Sequence, residues 1–153
     1  MRVYYNDFLF SDEKELLQLD RIRELLSTTY WASSRELSTI QKSIKNSLCF
    51  GVYANDRQIG FARCVTDYAV IFWLCDVIID EDYRNLGLGR KLVECVVQHE
   101  LLKDLRGILT TKNHKQLYEQ FGFKTQSSFM FKSNRKKLKW SLAYKYLINP
   151  YFG

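Results

Sequence analysis

The feature that most limits the fold of this sequence is an apolar strand that leads through a glycine-containing loop into an amphipathic helix. Residues 70–79 form a long apolar run, and the polar segment after it contains Gly87 and Gly89. The residues that follow have an apolar helical face made of Leu92, Val93, Val96 and Val97. This order of strand, loop and helix predicts an α/β domain whose helices pack on a sheet.

The glycine loop is predicted to bind phosphate. Glycines at the start of a helix let the backbone close around an anion, which then meets free N–H groups and the positive end of the helix dipole. A Walker loop is excluded because Gly89 is followed by Arg90 and Lys91 rather than by Lys and Ser/Thr. A dinucleotide fingerprint is disfavoured because it requires a small residue where Leu92 stands.

Apolar periodicity and turn residues predict the other elements. Asp12 and Glu15 have the spacing of a capping box before an apolar helical repeat. The polar turn at 55–57 separates two apolar runs, as in a β-hairpin. The predicted elements are an N-terminal strand, helices over about 13–28 and 34–46, a hairpin over 48–65, a strand over 106–111, a short helix over 113–120 and a further strand after Phe123.

Length and composition indicate one globular domain. The chain has 153 residues, and its 46% hydrophobic content suffices for a sizeable core. It has neither a run of 18 apolar residues nor the pattern of a signal peptide, so we expect a cytoplasmic protein without a membrane partner. The four cysteines lack metal-ligand spacing, so we expect free thiols and no metal site.

The positive charge is concentrated at the C-terminal end. The net charge is +6, and residues 120–153 contain seven Lys/Arg and no Asp/Glu. Large side chains alternate with small or cationic ones over 137–147, which favours an extra strand over a buried helix. We therefore predict a domain over 1–132 and a basic, aromatic extension over 133–153. The extension is expected to pack on the same domain or to form a homodimer contact, in preference to binding nucleic acid.

Two motifs in register resemble those of the GNAT superfamily of N-acetyltransferases. Residues 84–89 have the form Arg-x-x-Gly-x-Gly after a strand and at a helix start, and residues 118–123 have the form Tyr-x-x-x-Gly-Phe. The resemblance covers about residues 5–132. The segments 30–32, 47–53 and 59–63 are also similar to a group of small bacterial GNAT proteins. The resemblance implies a GNAT-type acyl-CoA N-acyltransferase fold, which is an α/β fold with a central mixed, mostly antiparallel sheet flanked by about four helices.

The resemblance also implies acetyl-CoA as co-substrate and assigns residues to it. The backbone of Val77, Ile78 and Ile79 would lie beside the pantetheine arm, which adds to the strand edge as another strand would. The pyrophosphate would be held by the side chain of Arg84 and by backbone amides of Asn85, Leu86, Gly87, Leu88, Gly89 and Arg90.

Acetyl transfer to a primary amine requires a neutral amine, a stabilised oxyanion and a proton for the departing thiolate. Tyr118 matches the family's tyrosine that supplies this proton; the alternative is a core tyrosine that packs the short helix. Asp76 lies in an otherwise apolar strand, so it is either the base that takes the amine proton or a structural hydrogen-bond acceptor. The resemblance also allows a chain of water molecules to act as the base in place of a carboxylate. His114 is an alternative base or an exposed residue at a helix start.

The acceptor is expected to be a small-molecule or peptide amine that attacks the thioester directly in a ternary complex. Tyr30 and Trp31 would form an aromatic wall for it, or they pack the helices as ordinary core aromatics. Two rival functions follow from the same residues. One is a non-catalytic protein that binds or senses acyl-CoA, and the other is a basic adaptor that acts through its C-terminal extension.

Overall fold

In the part of the chain that the structure describes, six strands form one sheet whose spatial order follows the chain, from β1 at one edge to β6 at the other. The computed structural model describes residues 1–126, 128–130 and 132. Neighbouring strands are antiparallel except for β5 and β6, which are parallel and are connected through a helix. The strands are β1 (Arg2–Tyr5), β2 (Phe8–Ser11), β3 (Leu48–Ala54), β4 (Arg57–Thr66), β5 (Ile71–Ile79) and β6 (Arg106–Leu109).

Helices cover both faces of this sheet. The helices are α1 (Leu19–Ser27), α2 (Leu37–Lys45), α3 (Leu88–Val97) and α4 (Lys115–Glu119). On one face, α1 and α2 bury Ile22, Leu25, Leu26 and Ile40 with Phe61 and Ile78. On the other face, α3 buries Leu88, Leu92 and Val96 with Phe10, Phe50 and Phe72. The predicted α/β class, with a mixed, mostly antiparallel sheet and about four helices, is confirmed.

The N-terminal region differs from its prediction. The single predicted strand is a hairpin, because Asn6 adopts a positive φ of 51° and turns β1 back into β2. The helix predicted over 13–28 begins only at Leu19, after a short 3-10 turn. Asp12 does not cap it, because its carboxylate bonds Nε2 of His99 at 2.8 Å.

The later elements are shorter than predicted. α2 spans Leu37–Lys45 rather than about 34–46, β6 ends at Leu109 rather than at residue 111, and α4 has five residues rather than the eight predicted over 113–120. The described residues after Phe123 contain no strand. The predicted extension over 133–153 lies outside the described residues.

β5 contains a bulge at Asp76. Phe61 of β4 pairs with Ile78, whereas Arg63 pairs with Cys75, so one residue of β4 opposes two residues of β5. Asp76 adopts a φ of 54°, in the left-handed region that Asp tolerates better than most residues. Such a bulge bends a strand and increases its twist.

The bulge also changes which side chains of β5 face α3, from even-numbered residues before it to odd-numbered residues after it. Before it, Phe72 and Leu74 point into the core under α3. After it, Val77 and Ile79 pack on that core, so the alternation has slipped by one residue. An uninterrupted strand would have turned these two side chains to the opposite face.

β5 and β6 separate next to the bulge. Their last paired residues are Leu74 and Leu109, although β5 continues to Ile79. Residues 75–79 therefore have no strand partner on the β6 side within the described part of the chain. The sheet has a notch at this point, bordered by unpaired backbone of β5.

Two arginines neutralise the carboxylate at the bulge. Arg35 Nη1 and Arg63 Nε donate to Oδ2 of Asp76 at 2.8 and 2.9 Å, and the Asp76 side chain is 2% exposed. Burial alone would raise the pKa of Asp76, but the hydrogen bonds and charges of the arginines outweigh it and lower the pKa. Because Arg35 lies between α1 and α2, the cluster also ties that connection to β5.

We predict that Asp76→Asn lowers the free energy of unfolding by about 3 kcal/mol at pH 7, because it leaves two partly buried cations without their buried anion. Asn tolerates the same positive φ, so the loss of stability reflects the missing negative charge rather than backbone strain. Since the folded pKa of Asp76 is lowered, its stabilisation is present above the unfolded value of about 3.9 and is lost as the pH falls through the folded value. Urea denaturation of both proteins between pH 7 and pH 3 measures this effect.

Asp104→Asn is the matched control, because Asp104 is exposed. It should unfold like the wild type at each pH. A difference between wild type and Asp76→Asn that stays constant as the pH falls would contradict the ion-pair interpretation.

Candidate functional site

The notch between β5 and β6 offers an extended ligand a strand edge to bind. Val77, Ile78 and Ile79, whose backbone was predicted to bind the pantetheine arm, all belong to the stretch without a β6 partner. Unpaired N–H and C=O groups of a strand edge can pair with an extended chain in the manner of another strand. Such pairing uses only backbone groups, so the side chains of Val77, Ile78 and Ile79 can pack in the two cores.

The glycine loop ends at the start of α3. Gly87 is the N-cap and adopts a φ of 76°, which few residues other than glycine tolerate. The first helical hydrogen bond runs from the Lys91 N–H to the Gly87 carbonyl at 3.0 Å. The amides of Leu88, Gly89 and Arg90 therefore have no partner inside the helix and are available to an anion.

The two glycines of the loop have different structural roles. A Cβ on Gly89 would lie 3.8 Å from Ile79 Cγ1, which is an ordinary contact, and Gly89 has a helical backbone. Gly87 has the left-handed backbone, and a Cβ there would lie 3.3 Å from the hydroxyl of Tyr5. The fold therefore requires glycine at position 87 more strictly than at position 89.

The arginines of the loop are used differently. Arg84 Nε donates to the Ile79 carbonyl at 3.4 Å, and the residue is exposed. The side chain of Arg90 instead bonds Oε1 of Gln120 at 3.0 Å, with its guanidinium 6.0 Å from the ring centre of Phe121. Arg84 is thus placed to meet an anion with its side chain, whereas Arg90 offers its amide and joins α3 to α4.

The remaining two loop residues predicted to bind the pyrophosphate are exposed. Asn85 adopts a φ of 65°, so the loop has left-handed residues at both 85 and 87. Leu86 between them is 49% exposed. This combination of conformations turns the chain sharply between the end of β5 and the start of α3.

The Tyr-x-x-x-Gly-Phe motif forms the C-terminal cap of α4. The N–H of Phe123 donates to the Tyr118 carbonyl at 3.3 Å, and Gly122 between them has a φ of 83°. The rings of Tyr118 and Phe123 pack edge to face, with centres 6.1 Å apart. This is the Schellman arrangement with its apolar contact, and it fixes the position of the tyrosine.

Tyr118 lines a groove of about 1230 Å³ beside β6, together with Trp31 and Trp73. Burial raises the pKa of Tyr118 to about 12, and the nearby Tyr30 phenol contributes to this rise. The hydroxyl of Tyr118 makes no hydrogen bond to the residues that the structure describes. The phenol is therefore protonated at neutral pH and available to donate.

The predicted acceptor residues Tyr30 and Trp31 pack edge to face, with ring centres 4.9 Å apart. Tyr30 is 51% exposed, whereas Trp31 also packs on the core under α1 and α2. The structure thus brings Trp31 and Tyr118 to one groove and Tyr30 close to Tyr118. Asp76 lies instead in its arginine cluster, where its low pKa makes it a weak base.

His114 is exposed at the N-cap of α4, and its backbone N–H donates to Thr111 Oγ1 at 3.2 Å.

The four cysteines are free thiols, as predicted. Among the described residues there is no group of His, Cys, Asp or Glu that could hold a metal. None of the helices in that part of the chain has the length and apolar composition needed to cross a bilayer.

Sequence reasoning missed two features of the site. It did not predict that Arg35 and Arg63 enclose Asp76, although a cation in the apolar run 59–65 was a signal that a buried acid lay opposite. It also did not predict that Tyr5 lies beside Gly87. No local pattern indicates that contact, because it joins residues 82 positions apart.

Comparisons with known proteins agree with this geometry. A family model of the acetyltransferase (GNAT) domain matches residues 45–125, which are 81 of the 153 residues. The uncharacterized N-acetyltransferase ycf52-like protein of Prochlorococcus marinus is 36% identical over 102 residues, which cover 63% of this chain and 54% of that protein. This chain spans 54% to 61% of the length of three curated relatives that it matches.

Solved structures share the fold. A GNAT-family protein from Xanthomonas campestris pv. campestris is 33% identical, with a TM-score of 0.79 over 83% of this chain and 93% of that chain. A GNAT family acetyltransferase from Elizabethkingia anophelis, solved with acetyl-CoA bound, is 17% identical with a TM-score of 0.62 over 80% and 79% of the two chains. From the family model and the long match to the Xanthomonas protein it follows that this chain belongs to the GNAT acetyltransferase family.

Proposed function

We propose that this protein transfers an acetyl group from acetyl-CoA to a primary amine by direct attack in a ternary complex. The observation that carries the proposal is the notch between β5 and β6, which opens next to the glycine loop at the start of α3. A thioester with an extended arm and a pyrophosphate requires these two features side by side. Family membership supports the same chemistry.

The arm of acetyl-CoA binds along β5 in this proposal. The backbone of Val77, Ile78 and Ile79 pairs with the amides of pantetheine, as with an added strand. The pyrophosphate then lies at the loop 84–90, where it accepts hydrogen bonds from the free amides of α3 and meets the charge of Arg84. This arrangement directs the thioester along β5 toward the bulge.

The acceptor amine enters from the side of the α1–α2 connection. Tyr30 and Trp31 offer aromatic faces to the ammonium form of the amine, which binds there before it loses a proton. The groove that Trp31 shares with Tyr118 supports this route. The acceptor class proposed is a small-molecule or peptide primary amine, and no metal takes part in the step.

In the chemical step the neutral amine attacks the thioester carbonyl and forms the new C–N bond. The tetrahedral intermediate collapses as its C–S bond breaks, and the amine nitrogen loses its extra proton to water. Tyr118 donates its phenolic proton to the departing thiolate and regains one from solvent. Its raised pKa keeps the phenol protonated until that moment.

Asp76 is a positioning residue in this proposal. Its ion pairs with Arg35 and Arg63 lower its pKa, and a carboxylate of low pKa is a poor acceptor for the proton of an ammonium group. The same ion pairs tie the connection that contains Tyr30 and Trp31 to the bulge. We therefore assign the amine proton to water and the ordering of the acceptor side to Asp76.

Tyr118→Phe should lower kcat by about 10²- to 10⁴-fold, which is the usual contribution of a general acid. Its affinity for acetyl-CoA should stay unchanged, because the phenol acts only on the leaving thiolate. Thiol release in the presence of a panel of amines measures kcat, and titration calorimetry measures the affinity. Between pH 7 and pH 10 the wild type should show no loss of rate from ionisation of Tyr118, whose pKa is about 12.

The same assay separates the proposed mechanism from an acetyl-enzyme mechanism and from a non-catalytic sensor of acyl-CoA. Initial rates at varied concentrations of both substrates should give intersecting lines, as a ternary complex requires, whereas parallel lines would indicate an acetyl-enzyme. A wild type that binds acetyl-CoA but acetylates no amine in the panel would favour a non-catalytic sensor. Full activity of Tyr118→Phe would show that Tyr118 is not the general acid.

The two loop glycines form a matched pair of substitutions. Gly87→Ala should cost about 1–2 kcal/mol, because Ala must adopt a left-handed φ, and it should weaken the binding of CoA as the loop relaxes. Gly89→Ala should leave both properties close to those of wild type, because its backbone is helical and its Cβ has room. Thermal denaturation and titration calorimetry with CoA test the pair.

Equal affinity of the two variants for CoA would contradict the assignment of the phosphate site to this turn. The comparison is internal, because the two positions lie on the same loop and receive the same methyl group.

A further inference from the structure

The N-terminal hairpin ends against the glycine loop. Tyr5 is the last residue of β1, and its hydroxyl oxygen would be 3.3 Å from a Cβ built on Gly87. The Nζ of Lys91, in the first turn of α3, lies 5.9 Å from the centre of the Tyr5 ring. A phenol group therefore lies at the N-cap of α3 and is contributed by β1, the first strand of the chain.

Contacts on both sides of the hairpin hold Tyr5 in this position. Tyr5 pairs with Phe8 across the turn at Asn6, which has a φ of 51°. The ring of Phe8 packs edge to face on Tyr83, with centres 6.0 Å apart. Because Tyr83 belongs to the segment between β5 and α3, the hairpin contacts this segment at Tyr83, and Tyr5 lies beside Gly87.

The hydroxyl of Tyr5 is available to a ligand. It makes no hydrogen bond to any residue that the structure describes, and the residue is 37% exposed. The free amides of α3 begin at Leu88, directly after the glycine that the hydroxyl adjoins.

The charges around the phenol also fit an anion. Lys91 is a cation close to the Tyr5 ring, although its Nζ is also paired with Glu94 at 3.2 Å. The phenol is a neutral donor, so it adds a hydrogen bond to phosphate without adding to the positive charge at the N-terminal end of the helix, where cations are unfavourable.

We propose that Tyr5 is a binding residue for the pyrophosphate of CoA, to which its hydroxyl donates a hydrogen bond beside the α3 amides. The inference rests on the proposed function, because it requires CoA at the glycine loop. It extends the site onto the N-terminal hairpin, outside the residues 45–125 that the family model matches. The hairpin thus acts as one wall of the phosphate site.

The test is titration calorimetry with CoA and with dephospho-CoA, which keeps the pyrophosphate but lacks the 3′-phosphate. The proteins are wild type, Tyr5→Phe and the control Tyr4→Phe, which removes the hydroxyl of the neighbouring residue that is 70% exposed. Tyr5→Phe should raise the Kd by about tenfold for both ligands, as expected for one hydrogen bond to a charged group. Tyr4→Phe should bind both ligands like the wild type.

The outcomes are distinct. A Tyr5→Phe protein that folds like wild type by thermal denaturation and binds CoA with unchanged affinity would overturn the inference while leaving the proposed function intact. If Tyr5→Phe loses affinity for CoA but not for dephospho-CoA, the inference is also overturned, because the hydroxyl would then contact the 3′-phosphate. A wild type that binds neither ligand would instead refute the proposed function itself.

Discussion

The carboxylate of Asp76, held between Arg35 and Arg63 inside the sheet, is the interaction on which the rest of this structure depends. It stabilises a bulge that interrupts β5, and the bulge exchanges the faces of the strand and lies where β6 stops pairing with it. The same carboxylate secures the connection between α1 and α2. A single buried ion cluster therefore organises both sides of the candidate site, the notch proposed for a thioester and the aromatic pair proposed for an acceptor. This explains why an acid occurs in an otherwise apolar strand.

The two motifs of the sequence have a common physical basis in backbone geometry. Gly87 and Gly122 both have a positive φ, the first where α3 begins and the second where α4 ends. At the first position the chain frees amides for an anion, and at the second it closes a cap that fixes Tyr118. The glycines are thus needed for conformation, and the chemistry follows from what each turn positions.

Much of the fold could be predicted from the sequence because its signals are local. The strand, loop and helix over 70–97 follow from periodicity, and the predicted loop residues do lie at the start of α3. The features that were missed depend on contacts between distant residues. Asp12 bonds His99 rather than a helix start, and Tyr5 lies beside Gly87 of the loop that begins at Asp80. No pattern within a window of the sequence contains either pair. The extension over 133–153 and a homodimer contact through it remain predictions.

The most direct test of the central claim is hydrogen–deuterium exchange of the backbone amides with and without acetyl-CoA. The account predicts slower exchange on binding at two places, the unpaired edge of β5 over 75–79 and the first amides of α3 over 88–90, because acetyl-CoA would accept hydrogen bonds there. Exchange at the β1–β2 pairing away from Tyr5 should not change. If acetyl-CoA binds but slows exchange at neither the β5 edge nor the start of α3, the notch and the glycine loop are not its site, and the account is wrong.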